Sequence, residues 1–431
     1  MSTMFIQLPP MNLLRPTSVY FLGEVLNRLV PFLLIPVLTR YLTPDEYGIV
    51  GLFAVVLGII GPLSHLNLAG AVGRFYFERE ASISDFPNFI ANCLYLSTAG
   101  AIVIGLLALT FADPIGSLSS FPPSWLWSVI VVSYGNSLGL VILGLWQMRQ
   151  QARPYILFMF LRTVMNFGLA ITLVVYYGFN WTGPIVAQVL SMSIFGVVAI
   201  WLLVRGGWIK LGWNRQYAKL ALSFGLPLIP HAIGSLLVAL VDRVFISHAC
   251  GLAGVGIYTV SYQISMVVLF ATDSFNRAWV PWFYQKLTER DPRTLARIVR
   301  ATYFYFLAVL TATVLFGLLI PPALKYFVGV QYAESSKYVL LLAIAFAFQA
   351  MYKMVTNYIF FSKRTYLLAY ITGAVAVFNI SLCILLIPRY HLYGAAVATL
   401  LSYLATFIVT WIVAARCYAM PWRLSRQPAR A

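Results

Sequence analysis

The chain has 431 residues, 61% hydrophobic and only 10% charged, with a formal net charge of +17, and its mean hydropathy is +0.85. Soluble domains carry about 25% charged residues, so this composition excludes a soluble globular protein and predicts an all-α polytopic membrane protein. Apolar runs follow one another from end to end and leave no stretch for a soluble catalytic domain.

The opening "MSTMFIQLPPMNLLRPT" has neither a basic n-region nor a small-residue cleavage site, so no removable signal peptide is expected. Apolar windows of about twenty residues, bounded by charges, Pro and Gly, predict twelve membrane helices. They lie near 18–39, 47–70, 87–110, 124–147, 155–177, 183–204, 225–248, 254–284, 301–320, 336–361, 366–388 and 394–416.

Taken in order, several of these helices carry polar stripes. Tyr20, Glu24 and Arg28 recur every four residues on the first, and residues four apart share a face. Pro31 and Pro36 follow, each removing an intrahelical hydrogen bond and inviting a bend. Arg162 and Asn166 repeat the spacing on the fifth helix. On the seventh, His231, Ser235 and Asp242 follow one face, with Arg243 turned about 100° from Asp242. Asp273 and Arg277 lie on the eighth, and Gln349, Lys353 and Asn357 on the tenth. A charge at mid-bilayer costs a few kcal/mol and is normally turned toward a bundle interior or a wet cavity. The stripes therefore predict a polar seam running between helices of both halves. Simple intrahelical ion pairs, Glu24 with Arg28 and Asp273 with Arg277, are an equally good reading of those four residues, and Arg162 and Arg277 are near enough to a helix end to snorkel. Lys353 has no acid three or four residues away.

Basic residues in the connections test the span map. One set of loops holds 20 of them, from Arg15 to Arg430, and the other holds 4: Arg40, Lys325, Lys337 and Arg389. Both termini are thus expected in the cytoplasm, and most of the +17 is a topology signal that needs no nucleic acid. The remaining 29 − 20 − 4 = 5 bases lie inside spans, against three acids, a net of +2 that favours an anionic cargo over a cationic one.

Two matches suggest an internal repeat. "EYGIV...GRFYFE" (46–78) matches "VGIYT...PWFYQK" (255–286) at an offset of 208, pairing Gly48 with Gly256. "RPY...GPIVAQVLS" (153–191) matches "RTY...GAAVATLLS" (364–402) at 211. Six helices per half make the repeat parallel, a plan on which transporters rock two halves around a central site. The expected units are an N-terminal lobe, 1–205, a cytoplasmic loop, 206–219, and a C-terminal lobe, 220–431. The loop "RGGWIKLGWNRQYAK" (205–219) suits an anionic headgroup layer, and an ordinary solvated linker fits it equally well.

Cys93, Cys250, Cys383 and Cys417 are scattered singly and fit neither a disulfide framework nor a metal site. His65, His231, His248 and His391 are isolated, and no nucleophile or carboxylate constellation stands at catalytic spacing. No enzyme activity, metal or cofactor is expected. Asn180-Trp181-Thr182 matches a glycosylation sequon, a pattern common by chance.

"LTRYLTPDEYGIVGLF" (38–53), "GRFYFERE" (73–80) and "DRVFISHACGLAGVGIYTVSYQI" (242–264) resemble the polysaccharide-transporter branch of the multidrug/oligosaccharidyl-lipid/polysaccharide exporter superfamily, along the whole chain. That branch includes O-antigen and exopolysaccharide repeat-unit flippases of the Wzx type. The resemblance implies two six-helix lobes forming a V in the bacterial inner membrane, alternating access, and an undecaprenyl-pyrophosphate-linked oligosaccharide moved from the cytoplasmic to the periplasmic leaflet. Membrane lipids, and the polymerase and chain-length machinery, would be its partners. The lipid II flippases of the superfamily have two further helices, for which this chain has no room. With the seam, this makes Arg28, Arg162, Lys353, Arg243 and Arg277 candidates for binding the pyrophosphate. Tyr20, Asn166, His231, Ser235, Gln349 and Asn357 are then candidate cavity lining, and Glu24, Asp273 and Asp242 candidates for coupling to H⁺ or Na⁺. A cation-coupled multidrug antiporter of the same fold is the alternative, and it calls for a cavity dominated by unpaired acids.

Overall fold

A computed structural model describes residues 32–76, 85–289 and 291–422. Those residues fold into helices joined by short turns, with no strand among them. In chain order the helices are α1 (Phe32–Tyr41), α2 (Pro44–His65), α3 (Leu68–Phe75), α4 (Phe86–Thr110), α5 (Ala112–Ser119), α6 (Leu126–Met148) and α7 (Ala152–Ile171). They continue as α8 (Thr182–Arg205), α9 (Arg215–Leu240), α10 (Asp242–Ser265), α11 (Val267–Glu289), α12 (Pro292–Phe327), α13 (Ser336–Phe361) and α14 (Tyr366–Cys417).

Nine stretches of the described residues are long and apolar enough to cross a membrane. Two of them are too long for one crossing. At 1.5 Å per residue, the 75 residues of Arg215–Glu289 and the 52 of Tyr366–Cys417 far exceed a hydrocarbon core of about 30 Å. Each leaves helical geometry once, at Gly251 (φ 74°) and at His391 (φ 53°), and there divides into two passes. That makes eleven passes, and α1 is the described end of the first, in agreement with twelve. Tyr20, Glu24, Arg28 and Pro31 lie outside the described residues.

Local chemistry sets the helix starts. Thr43 caps α2 in a capping box with Glu46, Pro44 taking the first helical position. Asp85, Asn214 and Asp291 cap α4, α9 and α12 through backbone N–H groups of the first turn. Because Asn214 starts α9, the seventh pass begins ten residues before the expected 225, and the polar turn "RQYAK" is helical. Likewise α12 spans 36 residues where 301–320 was expected.

One core cluster gathers first-half residues, among them Leu68, Phe89, Leu145 and Leu203, together with Tyr217 and Ala221 of the first turns of α9. Another, around Phe283, Tyr358 and Phe407, belongs to the second half. The halves meet where α9 packs on α3 and α4, and again at the face formed by the Thr43, Gly251 and His391 turns, called the clasped face below. There α2 crosses α10 at glycines. A Cβ on Gly48 would collide with Leu252 O and one on Gly256 with Pro44 O, while a Cβ on Gly51 would stand 2.6 Å from Thr259 Oγ1. Small residues of this kind let membrane helices approach to backbone contact. The contact is reciprocal, since Pro44 and Leu252, like Gly48 and Gly256, are 208 residues apart.

Two polar clasps flank the crossing. In one, the α1–α2 turn is held by the segment after α12: Gln331 Nε2 donates to Leu42 O (2.6 Å) and Thr39 O (3.2 Å), and the Tyr332 hydroxyl to Leu42 O (2.9 Å). Arg40 donates in return to Tyr326 O at 3.2 Å. In the other, the end of the seventh pass meets the segment after α5, with Ser247 Oγ 3.0 Å from Ser120 Oγ and His248 Nε2 3.2 Å from Ser117 O.

Candidate functional site

The charged seam is partitioned between three places. Arg162, near the middle of α7, directs its guanidinium toward α6, where NH1 donates to Asn136 Oδ1 at 3.2 Å and lies 3.3 Å from where a Cβ on Gly139 would stand. A glycine at 139 therefore leaves room for this side chain between the two helices. No carboxylate lies within ion-pair distance of Arg162 among the described residues. One turn on, Asn166 carries a buried Oδ1 with no hydrogen-bond partner among those residues.

In the second half, Lys353 of α13 forms an ion pair with Asp273 of α11. This answers the question left by its own helix, because the counter-ion comes from the neighbouring one. Asp273 thus has a cross-helix partner that the spacing along α11 does not reveal. One turn beyond, Asn357 Nδ2 donates to Asn276 Oδ1 at 3.1 Å. The two contacts form a ladder, residues 273 and 276 on α11 facing 353 and 357 on α13. Gln349 lies one turn earlier on the same α13 stripe, its buried Oε1 without a partner among the described residues. Asn276 was not singled out from the sequence, although its three-residue spacing from Asp273 puts it on the same face. Arg277 is exposed on the next face of α11.

Asp242 and Arg243 differ from expectation. Both are buried in the core, each 2% exposed. They do not point apart: Arg243 NH1 reaches back to Asp242 Oδ1 at 3.0 Å. The Tyr258 hydroxyl (2.7 Å) and Thr399 (3.2 Å) donate to Oδ2. Arg243 also donates to Ala239 O at 3.1 Å and stacks over the Tyr262 ring at 4.4 Å. Both carboxylate oxygens are thus filled by protein donors. The charges are neutralised within one network that ties the seventh, eighth and twelfth passes together. His231 and Ser235, expected on the same stripe, are exposed on α9, where Ser235 Oγ donates to His231 O at 2.9 Å.

The loop between the halves is not a free linker along its length, because residues 210–214 are tied to α4. Asn88 Nδ2 donates to Lys210 O and Gly212 O, and Asn92 Nδ2 to Gly212 O. The backbone N–H of Asn214 donates to Asn92 Oδ1 at 3.0 Å. Lys210 Nζ bonds Asp85 at 2.7 Å, a contact that holds the Asp85 carboxyl below the ordinary carboxylate range and the lysine above its own. Residues 210–214 form a strap laid across the start of α4.

Comparison with known proteins decides the family. Residues 13–287 match the model described as "Polysaccharide biosynthesis protein". The chain belongs to that family. A curated relative, "Lsg locus putative protein 1" of Haemophilus influenzae, is 25% identical over 364 residues, covering 83% of this chain and 87% of the relative. Among solved structures, this polysaccharide biosynthesis protein superposes on the lipid II flippase MurJ in an inward closed conformation with a TM-score of 0.73 at 14% identity, covering 93% of this chain and 87% of that one. An inward-facing multidrug resistance MATE family transporter of the MOP superfamily gives 0.72 at 18% identity, covering 94% and 96%. The fold is that of these two solved structures, and the protein is a multi-pass membrane protein.

Proposed function

We propose that the protein flips an undecaprenyl-pyrophosphate-linked oligosaccharide repeat unit from the cytoplasmic to the periplasmic leaflet of a bacterial inner membrane. Two six-helix lobes, 1–205 and 220–431, rock about a cationic cavity between them. The carrying observation is Arg162, an arginine in mid-span whose guanidinium donates to a neutral amide, that of Asn136. A guanidinium that faces no carboxylate among the described residues suits an anion, and its planar fork matches phosphate oxygens in a bidentate way. Lys353 supplies the second charge from the other half, and Arg28 and Arg277 belong to the same proposed lining with Tyr20, Asn166, Gln349 and Asn357. The polyprenyl chain stays in lipid. The charge rule places the clasped face on the periplasmic side and both termini in the cytoplasm, so the clasped molecule is shut toward the periplasm.

Lys353 cannot serve phosphate and Asp273 at full strength together. In this reading the pyrophosphate displaces Asp273, and the released carboxylate, with Glu24, couples transport to H⁺ or Na⁺ because losing a cationic neighbour raises a carboxyl's proton affinity. A multidrug antiporter needs unpaired acids, whereas both described intramembrane carboxylates, Asp242 and Asp273, are ion-paired.

The test is reconstitution with a fluorescent undecaprenyl-pyrophosphate oligosaccharide. The parent is expected to flip it, and well-folded Arg162→Ala and Lys353→Ala variants to do so at least about ten-fold more slowly, the loss of one charged hydrogen bond being about 1.5–3 kcal/mol. Parent-like flipping by both variants would overturn the cationic cavity. Transport of organic cations alone by the parent would select the antiporter.

A further inference from the structure

The second clasp holds a histidine in an arrangement that a neutral imidazole does not satisfy. His248 Nδ1 is 2.8 Å from Val244 O, one turn back on its own helix, and Nε2 is 3.2 Å from Ser117 O, at the end of α5 in the other half. Both partners are backbone carbonyls, which only accept. The Ser247 hydroxyl, 3.4 Å from Nδ1, lies 2.7 Å from the same Val244 carbonyl and is used there. Two carbonyls facing two ring nitrogens need two N–H donors, and only the imidazolium has both; the neutral ring has one. His248 is exposed, so protons reach it from the clasped side.

We propose that His248 is a proton-operated latch: protonated, it bridges the end of the seventh pass to the α5 segment and holds the clasped face shut; neutral, it releases one carbonyl and lets the halves part there. The latch lies at the junction of the halves and away from the Arg162 and Lys353 sites, so it acts on the conformational equilibrium whatever the cargo is. The corresponding clasp, Gln331 and Tyr332 on Leu42 O, uses donors that do not titrate near neutrality, which makes one clasp pH-sensitive and its counterpart constant.

Other titratable or charged groups stand on the elements packed around His248. Asp113 begins α5 one turn before Ser117, and Cys250 follows on the same turn as His248 with its sulfur 3.6 Å from His391 Nδ1. Arg389 precedes the His391 turn, and Asp45 and Glu46 stand in the first turn of α2, which packs along α10. Asp242 and Arg243 earlier on the helix are occupied with each other. Of these, His391 is the other imidazole, and it serves as the control.

The test measures the distance between the halves directly. Spin labels at Tyr177→Cys and Tyr390→Cys, both exposed and outside the clasps, are placed in full-length protein whose four native cysteines are replaced by Ala, in lipid nanodiscs. Between pH 5.5 and 8.0, where histidine changes charge, the ratio of long to short inter-label distances is expected to rise about three- to ten-fold, as for one charge-assisted hydrogen bond at a partly exposed site. The His248→Gln variant, with one amide donor group in place of the imidazolium, is expected to show the open-biased ratio at both pH values. His391→Gln is expected to keep the parent's shift. A parent whose ratio does not move with pH, a His248→Gln variant that retains the shift, or a His391→Gln variant that loses it would each overturn the proposal. If His248→Gln fails to fold, ¹⁵N-histidine spectra of the labelled parent decide: the closed state must show His248 with both ring nitrogens protonated, and a neutral ring there refutes the latch.

Discussion

At the scale of residues, the molecule treats its intramembrane charges in two ways. Asp242 and Arg243 are sealed into a core in which both carboxylate oxygens of Asp242 accept hydrogen bonds and Arg243 NH1 donates two. Taking two ions out of water is costly, and the structure tolerates it because three side chains and a carbonyl complete the coordination. Removing one partner is therefore far worse than removing both. Asp242→Ala is expected to lower stability by about 3–5 kcal/mol, read as an earlier unfolding transition in detergent, and Asp242→Asn combined with Arg243→Met to recover much of it. Lys353 and Asp273 are different, paired across two helices with side chains 28% and 17% exposed. Asp273→Asn is expected to tighten binding of an undecaprenyl-pyrophosphate lipid several-fold in an equilibrium assay, because the ammonium no longer has a resident competitor. Both pairs illustrate what sequence spacing conceals. The rule of four finds partners along one helix, and it fails where the counter-ion stands on the next helix or, as at 242 and 243, where a long guanidinium folds back across the 100° step.

At the scale of elements, the passes themselves were legible because each must present about twenty apolar residues to lipid. Their ends were less so. The start of α9 is set by the Asn214 cap and by the strap before it, neither of which alters hydropathy. The strap has a definite pH sensitivity. A carboxyl whose folded-state pKa is depressed stabilises above its unfolded pKa and stops doing so as pH falls through the folded value. The Asp85–Lys210 contact is thus complete at neutral pH and is lost only in acid below the usual carboxylate range. Asp85→Asn is expected to reproduce that loss at neutral pH, seen as faster amide exchange in residues 210–214 with the α6 core unchanged. The α2–α10 crossing has the opposite character, being steric and indifferent to pH. Gly48→Ala is expected to force the helices apart and raise the share of molecules open at the clasped face, whereas Gly73→Ala, where a Cβ meets nothing within 4 Å, should leave it unchanged. Inter-half distance measurements distinguish the two.

At the scale of the whole molecule, closure at one face and rocking about a cavity are consistent only if the crossing breaks and re-forms in every cycle. A Cβ on Gly51 would lie 3.5 Å from Thr259 Cβ, within the usual disulfide range of about 3.5–4.5 Å. The Gly51→Cys/Thr259→Cys protein is therefore expected to cross-link under mild oxidation, to stop flipping, and to resume on reduction. Full-rate flipping by the cross-linked form would show that the crossing is a fixed pivot.

The reciprocity of that crossing has a historical meaning. When position n of one unit meets position n of the other, a single substitution alters both sides at once, as in a two-fold symmetric dimer. A six-helix protein carrying one such glycine would have paired with its own copy through this surface before the two copies were joined, and the 210–214 strap is what a fusion of that kind has to add. After joining, the duplicated surfaces were free to diverge. The two clasps now differ in chemistry, one using an amide and a phenol and the other an imidazole, so a closure reciprocal in backbone is unequal in the side chains that hold it.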